Sequence, residues 1–243
     1  VGPPRFFAPL AEASGSTIEL PDDEAAHLTR VLRLKAGDEL RVFNGRGREW
    51  IATIDQANKQ IVRVTLNEAV EPTHEPRVAI TLAAALLKGD KMDDVVRDAV
   101  MLGVAAIQPL ITARTEISPT QLARSARIAR WQRIAVASAK QCGRAVVPEV
   151  RQAVLFAALV DAGERLVMLI EPGNASAARP LRELTPLDRA TLVIGPEGGW
   201  TAEEVERAAA SGAMLVTLGG HTLRADATPL VALTALRVHW GDL

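Results

Sequence analysis

Two glycine-bearing stretches near the C-terminus carry the residue types that chemistry needs. The first, VIGPEGGWTAEE at residues 193–204, sets Glu197 inside a loop of Gly195, Pro196, Gly198 and Gly199. A phosphate-binding loop needs a lysine followed by Ser or Thr, and a dinucleotide loop needs GxGxxG opening a helix. Neither pattern is present, and the Glu197 carboxylate would repel a phosphate. The loop therefore suits a ligand that offers hydrogen-bond donors or positive charge, while a bare strand-to-helix turn with no ligand stays open. Thr201 and Glu204 form a T-x-x-E capping box, which predicts a helix starting just after the loop. The second stretch, LGGHTLRADATP at residues 218–229, places paired glycines, His221, Arg224 and Asp226 ahead of a final helix. Two glycine loops after consecutive strands can enclose one cofactor, with backbone groups gripping its polar edges and Leu218 or Leu223 covering an apolar face.

Such loops need a rigid frame. Apolar runs VAITLAAALL, VAAIQPLI, RLVMLI, ATLVIG and AMLVTL alternate with segments of helical period, Met92 to Leu102 and Leu122 to Ala139. Strands buried on both faces and separated by helices imply an α/β domain with a mostly parallel sheet. Ligands of open sheets sit at the carboxyl ends of the strands, which is where both glycine loops fall. From Ser16 to about Val70 the texture differs: ELRVF, EWIATI and IVRVTL, punctuated by Asn44-Gly45, Arg46-Gly47 and Asn58-Lys59 turns, predict a small β-barrel or sandwich. EAVEPTHEPR at residues 68–77 has two prolines among charges and reads as the connection, placing the boundary near residue 74 and dividing the chain into 1–74 and 75–243.

Composition narrows the classes. Of 243 residues, 48% are hydrophobic and 23% charged, and 28 basic side chains nearly cancel 29 acidic ones, so only a local basic face could favour nucleic acid. The single cysteine, Cys142, excludes an intrachain disulfide and cannot by itself build a structural zinc site. Ala99 to Ala113, interrupted by Gln108 and Pro109, is too short to span a bilayer, and VGPPRFF lacks a signal-peptide pattern. The expectation is a soluble cytoplasmic protein without a metal or a membrane partner.

The glycine loops resemble those of the ribosomal RNA small subunit methyltransferase E family, SPOUT-class enzymes that methylate N3 of a uridine in 16S rRNA. IGPEGGWTAEE resembles that family's IGPEGGF-S-x-x-E, and LGGHTLRADATPLVAL its LG-x-R-I-L-R-x-E-T-A. Further blocks agree in order: HLTRVLRLKAGDEL at 27–40, LLKGDKMDDVV at 86–96, LGVAAIQPLITAR at 102–114 and RWQRIAVASAKQCGRAVVPEV at 130–150. The resemblance implies a PUA-like β-barrel that helps hold RNA, then an α/β domain with a C-terminal trefoil knot, S-adenosylmethionine bound in the knot, and a homodimer acting on 16S rRNA in the assembled or assembling small subunit. By the same resemblance Leu169, Glu171, Gly195, Pro196, Glu197, Gly198, Gly199, Leu218, Gly219, Leu223, Arg224 and Thr228 are the cofactor residues.

Methyl transfer by in-line attack needs alignment and exclusion of water, and no metal. The uridine N3 is a poor nucleophile while protonated, so a cation beside the deprotonated base helps most. Arg224 matches the arginine of the family's L-R pair and is the expected catalytic residue. His221 stands where the family usually has arginine, so packing or a substrate contact suits it better than the role of general base. For phosphates the candidates are Arg5, Arg30 and Arg33, with Lys35, Arg41, Arg46 and Arg48 nearby, set against the alternative of a solvated charged face. Arg114, Arg130 and Arg144 match family arginines and are expected along the RNA groove. Trp131 and His27 read as packing residues, and Cys142 as a small buried one. Two positions depart from the pattern. Met101 replaces a glutamate, and Asp226-Ala227-Thr228 stands for Glu-Thr-Ala. Those departures keep two alternatives in view, a methyltransferase with another RNA target and a non-catalytic RNA-binding assembly factor.

Overall fold

The computed structural model describes residues 2–58, 61–172 and 178–242, so Lys59 of the expected Asn58-Lys59 turn lies outside the described residues. The chain divides into two units, Val1–Glu75 with Val136–Val147, and Pro76–Ala135 with Pro148–Leu243.

In the first unit, period-2 alternation of apolar residues does what it predicts. Strands β1 (Arg5–Phe7), β2 (Thr17–Glu19), β3 (Glu39–Phe43), β4 (Glu49–Ala57) and β5 (Val62–Val70) form, among the described residues, a five-stranded sheet in the order β1-β3-β4-β5-β2. Leu40, Val42, Trp50, Ala52, Ile54, Val62, Val64 and Leu66 turn one face inward against Phe6 and Leu28. The β3–β4 hairpin closes where the Asn-Gly signal places it, because Asn44 Oδ1 accepts the amides of Arg46 and Arg48 at 2.9 and 3.2 Å. Between β2 and β3 lie α1 (Asp22–Ala26) and a wide helical turn, His27–Leu32, which ends at Arg33 with a φ of 56°.

The second unit is built from β6 (Ala79–Ala85), α2 (Lys91–Met101), β7 (Ala106–Ile111), α3 (Pro119–Ala123), α4 (Arg127–Cys142), β8 (Glu149–Val150), β9 (Val154–Leu155), α5 (Phe156–Asp161), β10 (Leu166–Leu169), β11 (Arg179–Pro180), β12 (Arg189–Ile194), α6 (Ala202–Ala210), β13 (Met214–Thr217) and α7 (Thr228–His239), the last turns of α4 belonging to the first unit. Its strands run β11-β13-β10-β12-β6-β7-β8, with β9 also on β7, and every one of these pairs is parallel among the described residues. The apolar runs are thus buried strands of an α/β domain, every residue of β7 and β10 being buried.

The helical period over 122–139 is not one helix. Ser125 breaks it: its Oγ donates to Leu122 O at 2.8 Å and accepts from Arg127 N at 3.4 Å, so one hydroxyl serves the end of α3 and the start of α4. Arg237 of α7, fully buried, fastens the C-terminal helix by donating to the carbonyls of Val78, Leu102 and Gly103 and to Asp242, at 2.6–3.1 Å. A buried arginine is tolerable only with such complete pairing.

Candidate active site

Strand β10 lies between β12 and β13, so the described residues just beyond the carboxyl ends of all three come together. Residues 169–172, 194–197 and 221–223, with Trp200, Leu218, Ala225 and Thr228, line a cleft enclosing about 580 Å³ of atom-free space. The chain reverses its direction of strand addition here, β13 pairing on the far side of β10 from β12, and open α/β sheets bind ligands at such points.

The first glycine loop is braced on all sides. Trp200 is buried, packs its ring 4.9 Å from Phe156 and donates its indole N–H to Leu169 O at 2.8 Å, tying the end of β12 to the end of β10. A Cβ at Gly195 would fall 2.9 Å from the Trp200 ring, and one at Gly199, which has a φ of 69°, would collide with the Glu171 carboxylate. At Gly198 a Cβ would lie 3.2 Å from Arg114, whose Nη1 donates to Gly198 O at 2.6 Å. Glu204 closes the capping box on Thr201 and also accepts the Ala113 amide. Burial pushes the Glu197 carboxyl up, but the hydrogen bonds from Lys91 Nζ and from the amides of Glu197 and Lys88 outweigh it and hold the group below its ordinary value. Glu171 Oε2 is buried with no hydrogen-bond partner among the described residues.

Among the described residues, the side-chain hydrogen bonds of the second loop lie at its end. Gly219, with a φ of 109°, and Gly220 would each meet nothing within 4 Å if given a Cβ. Arg224 binds Asp226 through two hydrogen bonds of 2.9 and 3.1 Å. Those bonds raise the guanidinium and lower the carboxyl relative to their ordinary values. The hydroxyl that stands one position late relative to Glu-Thr-Ala belongs to Thr228, which donates it to Arg224 O at 2.8 Å.

Of the cofactor residues read from the sequence, Leu169, Glu171, Gly195, Pro196, Glu197, Leu218, Leu223 and Thr228 come together on the cleft wall. Gly199 stands behind Glu171. Gly198 faces a neighbouring groove of about 960 Å³ whose rim carries Lys88, Arg114, Glu116 and Arg127, and Glu197 borders both spaces. Gly219 opens on another groove beside Pro180 and His239. Arg224 is exposed and not on the cleft wall, although Leu223 and Ala225 on either side of it are. Ile170, Pro172, Ile194, Trp200, Thr222 and Ala225 were not singled out as site residues. All lie within or beside the quoted loops and strand ends, and Trp200 had the clearest signal, directly after the paired glycines.

The arginines expected on RNA separate into two kinds. Arg5 uses every N–H of its guanidinium inside the first unit, on both oxygens of Glu49 and on the carbonyls of Ala139, Lys140 and Arg144. Arg144 is buried and donates to Glu75 at 2.5–3.1 Å. These two staple the first unit together, which corrects the reading of Arg5 as a phosphate contact and of Arg144 as a residue along the RNA groove. Arg30 and Arg33 are exposed on the wide turn, and Arg114 is exposed beside the glycine loop. Arg130 pairs with Asp90 and Asp93. Trp131 packs in the core as expected, with its N–H on Asp93 at 3.1 Å, whereas His27 is exposed with its ring 6.2 Å from Phe6, and Cys142 is only half-buried. Among the described residues no group of His, Cys, Asp or Glu could hold a metal, and no helix is long and apolar enough to cross a membrane.

Residues 73–237 match the family model of an RNA methyltransferase domain, and residues 20–67 that of an RNA methyltransferase PUA domain. The ribosomal RNA small subunit methyltransferase E of a Synechocystis species is 34% identical, over 91% of this chain and 73% of that protein. The protein of the same name from Rickettsia conorii is 30% identical, over 96% of this chain and 95% of its own. A Neisseria gonorrhoeae ribosomal RNA small subunit methyltransferase E, solved bound to S-adenosylmethionine, superposes with a TM-score of 0.88 at 30% identity over 98% of both chains. A Legionella pneumophila structure with the same cofactor bound gives a TM-score of 0.90 at 33% identity over 100% of both.

Proposed function

This chain belongs to the ribosomal RNA small subunit methyltransferase E family, and on that premise we propose that it transfers a methyl group from S-adenosylmethionine to N3 of a uridine in 16S rRNA. The observation that carries the reading is the cleft at the carboxyl ends of β10, β12 and β13. Leu169, Ile170, Ile194, Leu218 and Leu223 offer it apolar walls, and the buried Glu171 oxygen needs a donor. A ligand with a flat apolar base, hydroxyl and ammonium donors and a positive sulfur fits that lining. Bound there, the cofactor supplies an electrophilic methyl group.

The chain's own residues then have separable tasks. Glu171 accepts hydrogen bonds from cofactor donors, the backbone of Gly195 and Leu218 grips polar edges, and Trp200 keeps the floor dry. The acceptor uridine must give up its N3 proton to solvent, and the negative charge left on the ring is stabilised by a cation brought beside it. We assign that cation to Arg224, whose charge persists at every working pH and which lies between two residues of the cleft wall. Arg114, on the groove that shares Glu197 with the cleft, and Arg30 and Arg33 are assigned to RNA phosphates. The C-terminal trefoil knot, the homodimer and the cytoplasmic location belong to the same reading. The dimer is supported by Leu230, Val231 and Val238, apolar residues left exposed on α7.

Calorimetric titration of the purified protein with S-adenosylmethionine tests the first half, and absence of binding leaves only an RNA-binding role. Mass spectrometry of small-subunit rRNA from a strain lacking the gene tests the second. One missing methyluridine is expected, and an unchanged map alongside intact cofactor binding would mean a different RNA target.

A further inference from the structure

The first turn of a helix favours acids, because the dipole places partial positive charge there. Lys91 nevertheless opens α2. Its Nζ lies 2.9 Å from Glu197 Oε1 in the first glycine loop, and the amide of Lys88 donates to the same oxygen at 3.3 Å. The side chains of the pair are 36% and 26% exposed, so water screens it only in part. The lysine comes from outside both loops, on the helix that follows β6, the strand beside β12. An ammonium from outside the first glycine loop therefore holds that loop's carboxylate, and it sits where helix electrostatics alone would not place it.

We propose that Lys91 is a positioning residue for cofactor binding: by holding Glu197 it sets the shape of the wall formed by residues 195–199. Glu197 then serves the loop, not the ligand directly. The inference rests on the cleft being the S-adenosylmethionine site.

The test compares Lys91→Met, Lys91→Arg, Glu197→Gln and the Lys91→Met/Glu197→Gln double variant by calorimetric titration with S-adenosylmethionine and by steady-state methylation of small ribosomal subunits. Loss of a half-buried, hydrogen-bonded ion pair should raise the Kd and KM for the cofactor about fivefold in Lys91→Met, with kcat changed less than about twofold. Arginine should restore most of the affinity, and the double variant should be no worse than Glu197→Gln alone. Wild-type affinity in Lys91→Met overturns the proposal, as do fully additive effects in the double variant, and a loss confined to kcat would make Lys91 a group that acts on the substrate. Thermal melting monitors folding. If Lys91→Met melts early, Lys91→Arg and Glu197→Gln decide, the former expected to keep the affinity and the latter to lose the same factor. Failure of the wild-type protein to bind the cofactor would instead sink the functional reading.

Discussion

The two glycine loops look alike in sequence and are built on opposite principles. In the first, each glycine is crowded by a different neighbour: a Cβ would collide with Trp200 at Gly195 and with Glu171 at Gly199, and would press tightly on Arg114 at Gly198. In the second, a Cβ at Gly219 or Gly220 would meet nothing within 4 Å among the described residues, and the hydrogen bonds come at the Arg224–Asp226 pair and the Thr228 cap. The first loop is a preformed wall whose shape other elements dictate. The second leaves room around its glycines among the described residues.

That contrast can be broken most sharply at Gly199. Alanine there combines left-handed strain with a collision against Glu171, so a loss of about 3 kcal/mol, read by thermal unfolding and by loss of S-adenosylmethionine binding, is expected. Next comes Arg224→Ala, in the loosely held loop. It should lower kcat by about 100-fold with cofactor affinity nearly intact, the signature of a group felt in the transition state; equal loss of both would remove its assignment. Trp200→Phe deletes the N–H that Leu169 O accepts, leaving a buried carbonyl unpaired at a cost of about 1 to 2 kcal/mol, visible as a lower Tm and weaker cofactor binding.

Smaller effects sharpen the comparison. Because the Glu197 carboxyl is held below its usual value, its contribution is complete at neutral pH and is lost as pH falls below about 4.5 toward its lowered pKa. Cofactor affinity followed down through that range should show an acid limb that Glu197→Gln removes. Smallest of all is Gly220→Ala, where a methyl group meets nothing, and stability should stay within about 0.5 kcal/mol of wild type. A large loss there would mean that the second loop is as tightly built as the first.

Much of this was legible before any coordinates. The β-to-α/β change of texture, the buried parallel strands, the Asn-Gly hairpin and the Thr201/Glu204 cap are written in residues no more than a few positions apart. So were the loops themselves, and eight of the twelve residues that the family resemblance implies for a cofactor line one cleft wall. The arginines were not legible. Arg5 finds Glu49 and the carbonyls of residues 139, 140 and 144, Arg144 finds Glu75, and nothing near either in sequence marks them apart from the exposed Arg30 or Arg33. The broken helix at Ser125 was missed because a single hydroxyl, not a change of period, makes the break.

What the sequence determined by itself was local: strand and helix periods, capping, turn chemistry, and the absence of any phosphate-loop pattern in the first glycine loop. What only the tertiary structure decided was which polar groups face solvent and which face one another. It placed β10 between β12 and β13, which turns three separate loops into one cleft. It set Lys91 against Glu197, 106 residues away. Local preferences depend on neighbours within about one turn of chain, but pairing and burial depend on which distant segments the fold brings side by side.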